Sequence, residues 1–331
     1  MFYEPPQGVI VPVLNCFRDG KYNHEAQNER YLNMALDGIR TFFVNSLTSE
    51  TGDMDKGMRR DIIRSSMKNL NTICYFSDPP LNVMIGVHGD TIDETRANAQ
   101  VVEDTDVEKD LVDFVILQAA MIQDLKTSAQ LDQLVREVTE ITGKPLFFYV
   151  NSWMGRNPEI ITPEYLRDVC QGPHVRGAKV SAPYETFQGY AAIELPHDSA
   201  LYAGNALDIP RAMKDETLVT KPKGVVTGPA NVDPTTWLQL WEGLSQEKNT
   251  DDLEIKIIRQ NEFLMRNGPD KLIAVMKFIL EQQEKISDPL CLNPESNLTP
   301  DAIEILKYHY TKERDDLGPE CNTMQELFFT S

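Results

Sequence analysis

Eight short runs rich in apolar, β-branched or aromatic residues recur along the chain, at 8–14, 41–45, 81–87, 114–117, 145–150, 175–180, 200–203 and 223–227. Runs this short and this continuous suit strands buried on both faces, as in a parallel sheet. Stretches with helical signals separate them, among them 90–103, 128–142 and 163–170. The second places Leu131, Leu134, Val135 and Val138 on one helix face and is followed by Gly143 and Pro145 as stop signals. This alternation predicts an α/β fold, and eight units with starts roughly 23 to 40 residues apart favour closure into a (β/α)8 TIM barrel. A doubly wound open sheet is the alternative, against which no GxGxxG or Walker loop follows the first run.

After Pro234 the pattern changes to long amphipathic stretches at 236–246, 253–266, 271–285 and 302–313, broken by Gly268-Pro269 and by the segment 289–300. The expected organisation is a catalytic barrel over 1–232 followed by a C-terminal helical extension over 233–331, which packs on the barrel or on a second subunit. The acidic run 103–110 reads as a solvated loop and helix start.

Charge narrows the partners. The 331 residues carry 51 acidic side chains against 32 Lys and Arg, a net charge of −19. A field of that sign repels nucleic-acid phosphates and anionic lipid surfaces, so neither nucleic acid nor membrane is expected as a partner. No apolar run approaches bilayer length, and the opening MFYEPPQG lacks the basic and apolar regions of a signal peptide, so a cytoplasmic location is expected. Five scattered cysteines and five histidines form no CxxC, HxH or HExxH pattern, so neither a disulfide framework nor a metal centre is expected, although an acidic chain leaves room for a carboxylate-bound Mg²⁺.

In a barrel of this kind the chemistry sits where strands end, at the C-terminal face. Lys179 lies near the end of the sixth run, where an ammonium pointing inward is costly without a use or a partner. It is either an amine nucleophile or half of an ion pair with a neighbouring carboxylate. Tyr149 ends the fifth run, on a neighbouring strand; it is either a core tyrosine with a satisfied hydroxyl or the proton-moving partner of that amine. After the third run stand His88-Gly89-Asp90: His88 either lines the site or packs against the loop, and Asp90 or Thr91 caps the next helix.

These segments resemble the dihydrodipicolinate synthase and N-acetylneuraminate lyase family, the Schiff-base-forming class I aldolases, over nearly the whole chain. Gly8-Val-Ile-Val-Pro12 is similar to the family's opening strand, and Asn45-Ser-Leu-Thr-Ser-Glu50 occupies the place of its G-G-T-T-G-E loop. Tyr149 falls at the strand-five tyrosine, and Arg156-Asn-Pro-Glu-Ile-Ile-Thr-Pro163-Glu164 resembles the R-T-G-x-x-L-x-P-E segment that follows it. Gly177-Ala-Lys179-Val-Ser181 matches the G-x-K-x-S segment of the Schiff-base lysine. Ala203-Gly204-Asn205 resembles S-G-D, and the segment 223–234 resembles G-x-I-S-x-x-A-N-x-x-P.

The resemblance implies a (β/α)8 lyase that needs no cofactor and works as a homo-oligomer, a tetramer or dimer. Its substrate would be a 2-oxo acid, a sugar-derived one included, with pyruvate as product or co-substrate. Lys179 would form the imine and Tyr149 would relay protons, making these two the catalytic pair. Ser46, Leu47, Thr48 and Ser49 would hold the substrate carboxylate, with Arg156, Ser181, Gly204, Asn205 and His88 as further binding residues; Arg156 reads equally as a surface arginine. Two departures argue against the lysine-pathway synthase reaction. Over Ser46–Glu50, in the place of G-T-T-G-E, both glycines have gained side chains and the first threonine has become leucine, and Gln118-Ala-Ala-Met-Ile122 stands where the synthases carry a tyrosine pair. A dehydratase using the same imine and a non-catalytic metabolite-binding barrel are the alternatives.

Overall fold

The computed structural model describes residues 4–105, 111–153 and 160–314. Its centre is a closed barrel of eight parallel strands: Gly8–Pro12 (β1), Thr41–Val44 (β2), Asn82–Gly86 (β3), Val112–Leu117 (β4), Leu146–Asn151 (β5), Val175–Ser181 (β6), Ala200–Ala203 (β7) and Gly224–Val226 (β8). Each strand pairs with its neighbours in sequence, and β8 closes on β1 through Gly8↔Gly224. The (β/α)8 expectation is met.

Alternation along the strands divides the core in two. Ile10, Phe43, Met84, Phe114, Ile116, Phe147, Tyr149, Tyr202 and Val226 fill the barrel interior. Val9, Val11, Phe42, Val44, Val83, Ile85, Val115, Phe148, Val150 and Val180 point outward into the helix layer. This is why the strands read as continuous apolar runs: both faces are dry. Edge-to-face packing of Phe114 on Phe147, with centroids 5.0 Å apart, and the bond from Tyr202 Oη to the Pro6 carbonyl at 2.8 Å fill and stopper the interior.

The helix layer comprises His24–Leu36 (α1), Lys56–Tyr75 (α2), Ile92–Thr105 (α3), Ser128–Thr142 (α4), Pro163–Cys170 (α5), Tyr184–Ala191 (α6), Ile209–Lys214 (α7) and Pro234–Ser245 (α8). Their ends follow local chemistry. Thr127 and Gln130 form a capping box at the start of α4, and Gly143, at φ +66°, ends it. Helix α8 lies beyond the barrel boundary expected at 232, yet it buries Trp237, Leu240 and Leu244 in the same cluster as the outer strand faces. It packs on the barrel as the eighth helix of the layer.

Beyond it the extension runs on through Asp251–Leu264 (α9), Leu272–Gln282 (α10) and Pro300–Glu313 (α11). Phe263, Val275, Met276, Phe278, Ile279, Leu306 and Tyr310 form a second core together with Leu14, Cys16 and Val232 from the C-terminal rim of the barrel. The helices therefore sit at the barrel mouth, and α10 presents one flank to the site. No helix among the described residues is long and apolar enough to cross a membrane.

Candidate active site

Strand parity brings the central pair together. Tyr149 and Lys179 are register partners across β5 and β6, both on the inward face. Both are buried, and Lys179 Nζ lies 3.8 Å from the centroid of the Tyr149 ring and 5.6 Å from that of Phe43. Among the described residues no carboxylate pairs with Lys179, so the ion-pair reading of this lysine is not met; the aromatic faces are what its ammonium meets. Gly177, two residues earlier, sits at φ +128°, and a Cβ there would come within 1.8 Å of the Ala200 carbonyl oxygen. Only glycine lets β6 and β7 approach this closely.

Asn151 follows Tyr149 on the same face, and its Nδ2 donates to Tyr149 Oη at 3.2 Å, while its Oδ1 accepts from Trp153 N at 3.0 Å. The phenol oxygen thus receives one hydrogen bond from the chain and keeps its own hydrogen for a group in the mouth. Asn151 was not among the sequence candidates; its position two residues after Tyr149 in a period-2 strand was the signal for it.

The loop after β2 is closed on itself. Asn45, at φ +57°, turns the chain and donates from Nδ2 to the Gly86 carbonyl at 2.6 Å. Ser49 Oγ donates to the Val13 carbonyl at 2.7 Å and accepts from Ser46 N at 3.1 Å, and the two hydroxyls lie 3.1 Å apart. Ser46 and Ser49 are buried, bonded to each other and to the barrel, and neither lines the cavity. Leu47 and Thr48 do line the mouth. Glu50, in the left-handed region at φ +64°, ends the turn, and its carboxylate forms an ion pair with Lys277 of α10 at 2.6 Å with both side chains buried. Glu50 Oε2 also accepts from Leu292 N at 2.6 Å, and Lys277 Nζ donates to the Leu290 carbonyl at 2.9 Å.

A cavity of about 600 Å³ opens above Lys179, between the strand ends and the extension. This size suits a small-molecule site. Tyr149, Asn151, Lys179, Ser181, Gly204 and Asn205 line its floor, and Asn261, Leu272 and Met276 its far side. Ser181, Gly204 and Asn205 are thus where expected. A Cβ on Gly204 would lie 2.2 Å from Ser181 Oγ, so the glycine makes the room that the serine hydroxyl occupies. Asn205 Nδ2 is engaged by Asp208 at 2.7 Å.

Of the remaining expected residues, Arg156 lies outside the described residues. His88 is buried and does not line the cavity; burial, reinforced by the Arg59 charge, holds its imidazole down to about 3, which keeps it neutral. Arg59 itself pairs with Glu94 at 2.9 Å, both side chains buried. Lys179 is the one cation among the described lining residues, against Glu50, Asp53 and Asp270, so the rim is acidic and the floor basic. Among the described residues no cluster of three His, Cys, Asp or Glu side chains suited to a metal is present.

No protein-family model and no curated protein matches the chain. Solved structures do. Dihydrodipicolinate synthase from Bacteroides thetaiotaomicron superposes with a TM-score of 0.78 at 16% identity, over 93% of this chain and 99% of that one. A catalytic-lysine mutant of the sialic acid aldolase of Ruminococcus gnavus gives 0.76 at 16% identity, over 94% and 96%. A prophage protein of the dihydrodipicolinic acid synthase family from E. coli K12, in complex with pyruvate, gives 0.74 at 15% identity, over 93% and 98%. Identities this low establish a shared fold. These neighbours belong to the family whose motifs the sequence resembles.

Proposed function

We propose that the chain is a Schiff-base-forming lyase acting on a 2-oxo acid. The observation that carries this reading is Lys179: a buried ammonium without a carboxylate partner among the described residues, stacked on Tyr149 and facing a cavity at the C-terminal ends of the strands. The sialic acid aldolase neighbour has a catalytic lysine, and the E. coli neighbour holds pyruvate.

In the reaction, the free amine of Lys179 bonds to C2 of the 2-oxo acid, giving a carbinolamine. Proton transfer to its hydroxyl then expels water and leaves the protonated imine. The C4 hydroxyl then gives up its proton to the relay, which later returns it to C3; C4 leaves as the carbonyl carbon of an aldehyde, and the electron pair of the breaking C3–C4 bond flows into the imine, giving an enamine. Protonation at C3 and return of water regenerate Lys179 and release pyruvate. In this reading Tyr149, whose oxygen accepts from Asn151, moves the protons of these steps. Thr48 is the hydroxyl of the β2 loop left to meet the carboxylate.

The closed 46–49 loop favours a second reading, a barrel that binds a 2-oxo metabolite without cleaving it. Turnover separates the two. A panel of 4-hydroxy-2-oxo acids is incubated with the protein and pyruvate release is followed; the lyase releases pyruvate from at least one, and the Lys179→Ala protein from none. Release that is unchanged in Lys179→Ala excludes the imine.

A further inference from the structure

Beside Tyr149 the chain carries buried polar groups that the proposed chemistry does not use. Asn45 Oδ1, both ring nitrogens of His88 and both amide atoms of Gln118 are buried and have no hydrogen-bond partner among the described residues. They belong to one place. The registers Gly86↔Ile116, Leu117↔Phe148 and Tyr149↔Lys179, continued past the strand ends, align His88, just beyond β3, and Gln118, just beyond β4, with Tyr149 on β5 and Lys179 on β6. Ile116 faces the interior, which makes Gln118 an inward position too. The His88 ring folds back over Gly86: a Cβ on that glycine would lie 3.2 Å from His88 Cε1 and 2.2 Å from the Asn45 carbonyl oxygen.

A buried polar group without a partner costs more than one that is paired, so a native fold that keeps three such side chains near one another has a reason to do so. Their chemistry defines what fits. Asn45 Nδ2 is committed to the Gly86 carbonyl, so Asn45 Oδ1 requires a donor. The neutral imidazole and the Gln118 amide each offer a donor and an acceptor. A carboxylate has no hydrogen for Asn45, and an ammonium cannot accept and would face the charge of Arg59. A hydroxyl both donates and accepts.

We propose that Asn45, His88 and Gln118 form a buried niche, next to Tyr149, for a neutral hydroxyl group, supplied either by water or by a hydroxylated substrate. Its kinetic test rests on the imine reading; its structural test does not. In a high-resolution crystal structure of the full-length protein, an ordered oxygen is expected within hydrogen-bond distance of both Gln118 and His88, and a niche sealed without one overturns the proposal. Borohydride trapping with 2-oxobutanoate and 4-hydroxy-2-oxobutanoate then identifies the source, in the wild type and in Gln118→Leu and His88→Phe. A substrate hydroxyl predicts a loss of about tenfold for the hydroxylated acid alone, the effect of one buried hydrogen bond. Water predicts equal losses for both acids, and trapping unchanged with both acids in both folded variants contradicts either occupant. Should the wild type trap no 2-oxo acid at all, the imine reading fails, and the crystallographic result still decides the niche.

Discussion

Glu50 and Lys277 stand 2.6 Å apart with both side chains buried, which joins the loop after β2 to α10 of the extension across the barrel mouth. The lysine stem also lies against Phe17, with Nζ 4.7 Å from the ring centroid. One end of the cavity is thus walled by the barrel and the other by the extension, and this ion pair is one buried polar tie between them. Removing one partner leaves the other charge buried and alone. Lys277→Met is therefore expected to destabilise the fold by about 3–5 kcal/mol. The double variant Glu50→Gln with Lys277→Met should recover part of that loss. Urea unfolding of the three proteins checks this, and equal stability of the single variant and wild type would remove the tie.

Replacing Tyr149 by Phe keeps the ring beneath Lys179 and removes the oxygen that Asn151 holds. Adduct formation at Lys179 should slow by about 10²–10⁴-fold, the range for loss of a positioned proton carrier, while the thermal transition stays near that of the wild type. Asn151→Leu should slow it less. Rapid-quench trapping gives the rates, and an unaffected Tyr149→Phe rate would assign the proton transfers elsewhere.

The serines and the threonine of the β2 loop should separate cleanly. Ser49→Ala loses the bonds to Val13 and Ser46 and should cost about 1–3 kcal/mol of stability. Thr48→Val should leave stability within about 0.5 kcal/mol and weaken 2-oxo acid binding instead. Paired denaturation and titration measurements distinguish these outcomes.

His88 gives a pH signature. Its folded pKa of about 3 lies below the unfolded value near 6.5, because burial and Arg59 disfavour the imidazolium. Between those values the unfolded chain binds a proton that the folded chain refuses. The contribution of this group is therefore full above pH 6.5 and is lost progressively as the pH falls toward 3, by at most about 5 kcal/mol. Carboxylates also titrate in this window, so the comparison is with His88→Phe, whose stability should fall less steeply between pH 6.5 and 4. Parallel slopes would mean that His88 is protonated in the fold.

The barrel was legible because strands buried on both faces leave continuous apolar runs, and the bounds of α4 because Thr127, Gln130 and Gly143 are local signals. A helix that packs on a barrel and one that packs on other helices share the same amphipathic pattern, so the sequence does not say against what α8 packs; Trp237 and Leu240 in the outer core show that it packs on the barrel. In the site, Lys179 and Tyr149 followed from strand parity, which also held the unused clue to Asn151. The tie from Glu50 to Lys277 joins residues far apart in sequence, and no local pattern announces it. Ser46, Ser49 and His88 have suitable chemistry at suitable sequence positions, but whether a side chain turns to the cavity or into the scaffold depends on neighbours such as Val13 and Arg59.

The central claim concerns the nitrogen of Lys179. The full-length protein, incubated with pyruvate and a panel of longer 2-oxo acids, is reduced with borohydride and mapped by mass spectrometry. The account predicts a reduced imine on Lys179 and on no other lysine, and none in Lys179→Ala that still unfolds cooperatively. An unlabelled Lys179 across the panel, or labelling spread over surface lysines, would contradict it.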